Sequence, residues 1–265
     1  MKKKILIPVL AALLVIALAL SFYFLVFQPR NELESYIKQN ITEVSAPAKQ
    51  YDKYDITYNG ETTDISTGII TLKLPAKYEE QDVAIDSAEI YKAAGENISV
   101  IKPFNWGGNF DLTADRDEYP FYYVNEDVTA AEIVKGYQSM WGITPDCAYN
   151  TMKGAFLTEK DCYNSLDINS QKAYIVSTTL KKILGAGSYN ILIYEKGDIC
   201  GFVTWFERTD SEIKELKEKY GQSTRYVASL EIFTKSDLNT STTILVKVDN
   251  LDEVFAIMNS VRAEK

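Results

Sequence analysis

The chain has 265 residues, 46% apolar, 25% charged and 12% aromatic, with a net charge of −9. These are values of a folded globular protein, and the acidic balance excludes a whole-surface electrostatic case for nucleic-acid binding. The absence of histidine removes imidazole catalysis and histidine metal sites, and three cysteines cannot build a four-cysteine zinc site.

Three lysines, Lys2–Lys4, precede an uncharged apolar run from Ile5 to Phe27. A run of ~20 apolar residues is long enough to cross a bilayer as a helix. Pro8 falls in its first turn, where a missing N–H costs little. The lysines keep the N-terminus cytoplasmic by the positive-inside rule, so residues 28–265 are expected outside. Without those lysines the remaining chain carries −12, which repels it from an anionic membrane surface. Two readings compete. Residues 1–27 form an uncleaved signal-anchor, or Ala17-Leu18-Ala19 marks a cleavage site and the product is secreted. Cleavage there would leave the apolar Leu20–Phe27 as the new N-terminus, which favours the anchor.

Residues 28–50 form a polar juxtamembrane piece. Leu33, Tyr36, Ile37 and Ile41 have helical spacing, so it is a spacer or a helix packed on the domain, ending near Pro47. From residue 51 the pattern becomes that of strands. Ile70, Leu72 and Leu74 alternate with polar neighbours up to Pro75. Residues 88–92 and 97–101 flank Ala93-Ala94-Gly95-Glu96 as a hairpin. Thr129 and Glu132 have capping-box spacing ahead of a helix that Gly142 ends.

A second helix follows Pro145, with Ala148, Tyr149, Met152, Ala155 and Phe156 inward. A third is expected over residues 170–184, with Asn169 as its cap and Lys181 and Lys182 on its C-terminal dipole. Strands 189–194 and 199–207 read as a hairpin, and 211–220 as a charged surface helix. Tyr226, Ala228, Leu230 and Ile232 share a face of a strand that pairs with 242–248 through a turn over 236–241. Asn250 and Glu253 cap a last helix whose buried stripe is Leu251, Val254, Phe255, Met258 and Val261.

The outcome is an α+β chain: an N-terminal transmembrane helix, then over residues 51–265 one mainly antiparallel sheet covered by helices. An early strand ending Leu72-Lys73-Leu74-Pro75, a hairpin, helices, a late meander and a terminal helix with Phe255-Ala256-Ile257-Met258-Asn259-Ser260-Val261 together resemble the PsbP-like α/β/α sandwich family. The resemblance covers roughly residues 55–262. It implies an extracytoplasmic, membrane-attached protein that binds partners and has no catalytic constellation. Helical material at 125–185 and a charged insertion at 208–224 depart from that pattern.

The best candidate site is an aromatic–acidic stretch. Trp106 with Asp115, Asp117, Tyr119 and Tyr122 offers rings and carboxylates that stack on sugars or line a peptide groove. Asp115-Arg116-Asp117 lacks the ligand alternation of a calcium loop, so no metal is expected, and no cofactor motif is present. Cys147 and Cys162 flank the second helix and are candidates for a disulfide, while Cys200 sits in a strand as a buried thiol. The pattern predicts a non-catalytic binding protein, held in the membrane through residues 5–27 and accessory to an envelope or transport complex through an envelope protein partner. The rivals are a cell-envelope hydrolase using carboxylates or a Ser/Lys pair, and a sensing domain for a cell-wall sugar or peptide. An exposed Trp106 ringed by tyrosines favours the last of these.

Overall fold

The computed structural model describes residues 20–21, 23, 28–40, 48–50, 56–82, 87–113, 129–159, 167–184 and 190–264. Most of the apolar run over 5–27 lies outside these residues, as do Ile41 and Pro47. Among the described residues no helix is long and apolar enough to cross a membrane.

The described chain is α+β. Its helices are α1 (Gln28–Asn40), α2 (Ala130–Trp141), α3 (Ala148–Leu157), α4 (Ile168–Ile183), α5 (Asp210–Tyr220) and α6 (Leu251–Ser260). Its strands are β1 (Lys49–Gln50), β2 (Thr62–Ser66), β3 (Ile70–Pro75), β4 (Glu79–Gln81), β5 (Ala88–Ala93), β6 (Glu96–Asn105), β7 (Asn190–Lys196), β8 (Ile199–Glu207), β9 (Tyr226–Thr234), β10 (Asp237–Val248) and β11 (Arg262–Ala263).

These strands make two sheets where one was expected. The main sheet runs β1-β7-β8-β9-β10-β6-β5-β4, antiparallel except for the short parallel β1–β7 pair. The meander β7–β10 meets the early hairpin β5–β6 through β10 and β6. A second sheet, β11-β3-β2, takes the early strand β3 away from the main one. The C-terminal residues Arg262 and Ala263 supply its third strand, opposite Thr71 and Ile70.

The period-two alternation decides which face each side chain enters. In β8, Ile199, Val203 and Trp205 join one core with Leu192, Leu230, Ile244 and Val246. Val254, Phe255 and Met258 of α6, Val261 just past its end, and the inner residues Ile70, Leu72 and Leu74 of β3 close that core. Cys200 and Phe202 face the other way and pack with Met152, Ala155 and Phe156 of α3 and Leu180 of α4. Both faces of the meander are therefore covered, which explains why β7 and β8 read as nearly continuous apolar runs.

A third cluster joins the helices. Ile37 of α1, 1% exposed, packs with Ile133 and Tyr137 of α2 and Tyr174, Ile175 and Val176 of α4. The segment 28–40 thus lies on the domain. Gly136 lets α2 approach α4 closely: a Cβ there would stand 2.2 Å from the Asn169 carbonyl oxygen.

Local signals fix most boundaries. Glu132 reaches back to the Thr129 N–H at 2.9 Å, and Gly142 ends α2 at φ 65°. The β5–β6 turn places Ala94 and Gly95 at φ 42° and 93°, the left-handed pair that suits a two-residue hairpin.

Lys181 and Lys182 stand in the last turn of α4 as expected, and the buried Lys181 also donates to the Thr158 carbonyl at 3.2 Å, just past the end of α3. Three expectations need correction. The cap of α4 is Asp167, which accepts from the Asn169 N–H at 3.0 Å, so the helix starts earlier than expected. Strand β10 begins at Asp237, with a register shift before Ser241, where a longer turn was expected. Asn250 caps α6, accepting from Asp252 N–H at 3.0 Å, but Glu253 turns away from the cap to Lys77 and Tyr78.

Candidate functional site

The helix-covered face of the main sheet carries polar side chains at its centre. In β9, Ala228, Leu230 and Ile232 enter the α6 core, so Ser229 and Glu231 between them must face α3 and α4. Across the ladder Glu231 pairs with Phe202 of β8 and Thr243 of β10. Glu231 therefore stands in the interior of a seven-strand antiparallel array, far from either sheet edge.

Two irregularities complete the site. Between Thr243 and Ser241, β10 advances two residues while β6 advances three, from Ile101 to Phe104. The extra residue is a bulge at Lys102-Pro103, a place where a sheet tolerates proline. The chain then leaves β6 with Trp106 N–H bonded to the Asn239 carbonyl at 2.9 Å. This anchor brings the indole over Ser241, to which Trp106 Nε1 donates at 2.8 Å. Phe104 and Phe110 hold the indole edge-on, with ring centroids 5.0 and 5.1 Å away.

These contacts form a directed chain. An indole N–H only donates, so Ser241 Oγ accepts from Trp106 and points its own hydrogen at Glu231 Oε1. Thr243 Oγ1 donates to Glu231 Oε2 at 2.7 Å. Burial pushes the Glu231 carboxyl above its ordinary range, while the bonds from Ser241, Thr243 and Trp106 pull the other way and leave it raised. Both carboxylate oxygens thus accept, Oε1 from Ser241 and Oε2 from Thr243. Among the described residues no lysine or arginine forms an ion pair with Glu231.

Glu231 opens into a cavity of about 270 Å³ between sheet and helices. Its apolar wall is Met152 and Phe156 of α3, Ile183 and Leu184 at the end of α4, Phe202 and Trp106. Its polar floor is Thr204, Ser229, Glu231 and Thr243. Apolar walls with a few convergent polar groups are the usual composition of a small-molecule site, here just below the ~300–1,000 Å³ range of such sites. Ser241 is 1% exposed and does not line the cavity, so its hydroxyl orients the carboxylate and is not presented as a nucleophile.

A larger cleft of about 530 Å³ lies against β3 and α6. Three of its polar groups are engaged within the fold: Asn259 donates to the Ile56 carbonyl, Ser260 to that of Ile257, and Arg262 to the carbonyls of Asn259 and Val261. The smaller cavity is the stronger candidate because a buried carboxylate with oriented donors opens into it.

Of the residues singled out from sequence, Trp106 belongs to this site. It is half-buried and its ring neighbours are phenylalanines, an intermediate outcome for the sugar-stacking expectation. Asp115, Asp117, Tyr119 and Tyr122 lie outside the described residues, as does Cys162. Cys147 and Cys200 are buried free thiols. Burial pushes Cys147 up to about 11 and Cys200 up to about 12, so both are protonated and unreactive at neutral pH. Beside them Tyr149 donates to Glu195 Oε1 at 2.7 Å, and Lys153 pairs with the same oxygen at 2.7 Å.

Sequence reading missed Glu231, Ser241 and Thr243. A glutamate at an outward position of an alternating strand is indistinguishable from a solvent-facing one until its covering helices are known. No protein family model matches the chain, and no curated protein matches it.

Proposed function

We propose that this chain is a membrane-anchored extracytoplasmic protein with a non-catalytic ligand-binding domain, accessory to an envelope or transport complex. The cavity floored by Glu231 carries this reading. It combines an apolar wall, a half-buried aromatic side chain and a carboxylate held by two hydroxyl donors, an arrangement suited to holding a ligand in one orientation. The cavity presents one carboxylate, where hydrolysis by paired carboxylates needs two, so binding fits the geometry better than that form of envelope hydrolysis does. The anchor reading rests on Lys2–Lys4 and the apolar run to Phe27. The layering of α6 and the small sheet on one face and α3–α4 on the other supports the PsbP-like sandwich as the fold family.

Crosslinking in intact cells tests this function. The full-length protein is extracted in detergent and its copurifying molecules are identified. A stoichiometric membrane partner, lost when residues 51–265 are deleted and kept when the anchor is exchanged, supports the accessory role. Reproducible isolation of the protein alone, or a turnover activity abolished by Glu231→Gln, overturns it.

A further inference from the structure

The Glu231 carboxylate is oriented by hydroxyl donors, and among the described residues no basic side chain forms an ion pair with it. Two hydroxyls donate to it in a fixed direction of hydrogen bonding, Ser241 to Oε1 and Thr243 to Oε2, and Trp106 sets that direction by donating to Ser241. An ionised carboxylate is the form that accepts from both hydroxyls. Its other surroundings at the cavity are Ser229 on its own strand, Phe202 and Thr204 on β8, Met152 and Phe156 on α3, and Ile183 and Leu184 at the end of α4. None of these carries a charge. A buried charge is normally paired, because leaving it unpaired in an apolar setting is costly. The uncharged walls leave room for the missing partner in the cavity itself.

We propose that this cavity selects small organic cations, with an ammonium group on Glu231 and an apolar body against Met152, Phe156 and Phe202. The inference rests on the reading of the cavity as a ligand seat and names its ligand class. Trp106, Phe156 and Phe202 favour a cation further, since aromatic faces attract positive charge. A carboxylate or phosphate ligand is repelled by the same group. The volume of about 270 Å³ limits the ligand to a small molecule. Burial holds the Glu231 carboxyl above its ordinary range, so the site empties on acidification when the carboxylate takes up a proton.

The test is calorimetric titration of the full-length protein in neutral-lipid nanodiscs, with empty discs as reference. The probes are 2-phenylethylamine, 2-phenylethanol and phenylacetate, which share a body and differ in charge. The amine is expected to bind, more tightly at pH 8 than at pH 5. Glu231→Gln is expected to weaken it at least tenfold while leaving the alcohol unchanged. Thr243→Val removes the donor to Oε2, raises the carboxyl further, and shifts the pH at which the amine is lost upward; it also serves if Glu231→Gln does not fold. Equal affinity for amine and alcohol overturns the cation assignment and leaves the ligand seat standing. Binding of none of the three, or binding undiminished by Ser229→Phe, which fills the cavity, overturns both.

Discussion

Lys77 donates from its ammonium to Glu253 Oε1 at 2.7 Å across 176 residues of sequence. The same ammonium lies 2.7 Å from Glu96 Oε2, and the Tyr78 hydroxyl lies within bonding distance of both carboxylates. The turn between β3 and β4, the start of β6 and the first turn of α6 are thereby tied at one point. Glu96 is 9% exposed and also accepts from the Asp249 N–H at 3.0 Å.

Lys77→Met leaves two carboxylates facing one tyrosine proton. The expected loss is about 1–3 kcal/mol, at the low end because the ammonium is partly exposed and screened. Urea unfolding measures it. Glu253→Gln in the Lys77→Met background should recover part of the loss, and strictly additive effects would show that the two side chains are not coupled.

Glu231 and Glu96 give the stability opposite pH dependences. For Glu96, burial favours the neutral form, but the bonds from Lys77, Asp249 N–H and Tyr78 outweigh it and lower its pKa. Its contribution is present above the unfolded carboxyl value of ~4.3 and is lost as pH falls through the folded value. Glu231 is raised, so its contribution is present below ~4.3 and is lost as pH rises through the folded value. Glu231→Gln should therefore match the wild type in stability near pH 4 and exceed it at pH 8. Thermal unfolding with no such crossover would mean that Glu231 is not raised in the native state.

Cys147 and Cys200 should resist alkylation in the native protein at neutral pH, because burial both shields them and holds the thiols protonated. Both should alkylate on denaturation without reductant, as read by mass spectrometry. A requirement for reductant at Cys147 would instead establish the expected bridge to Cys162.

Ile37→Ala should cost about 2–5 kcal/mol, the range for truncating a buried aliphatic side chain. Glu32→Ala, at an exposed position of the same helix, should stay within about 0.5 kcal/mol. Equal, small effects from both would mean that α1 does not contribute to the domain in solution.

Elements whose cause is local are legible in the amino-acid sequence. The capping box of Thr129 and Glu132, the stop at Gly142 and the alternation of Tyr226, Ala228, Leu230 and Ile232 act within a few residues of chain. The departures share the opposite cause. Asp167 and Asn169 are both good caps, and the choice follows from where α4 packs, with Ser170 and Ala173 buried. Glu253 has cap spacing, but Lys77, 176 residues away in sequence, draws its carboxylate away. Strand β3 is evident from its alternation, yet its partners, β2 and the C-terminal β11, depend on pairings that no local pattern encodes.

Composition, charge and periodicity by themselves determined an acidic α+β chain with an apolar N-terminal run, the alternation of strands such as β3 and β9, and most helix ends. These follow from side-chain hydrophobicity and backbone sterics, which act over one or two turns of chain. Only the tertiary structure decided that there are two sheets, that α1 packs on the domain, and that Glu231, Ser241, Thr243 and Trp106 meet beneath α3 and α4. That meeting depends on strand order, on the bulge at Lys102-Pro103 and on helix placement, whose energies arise from contacts between residues distant in sequence.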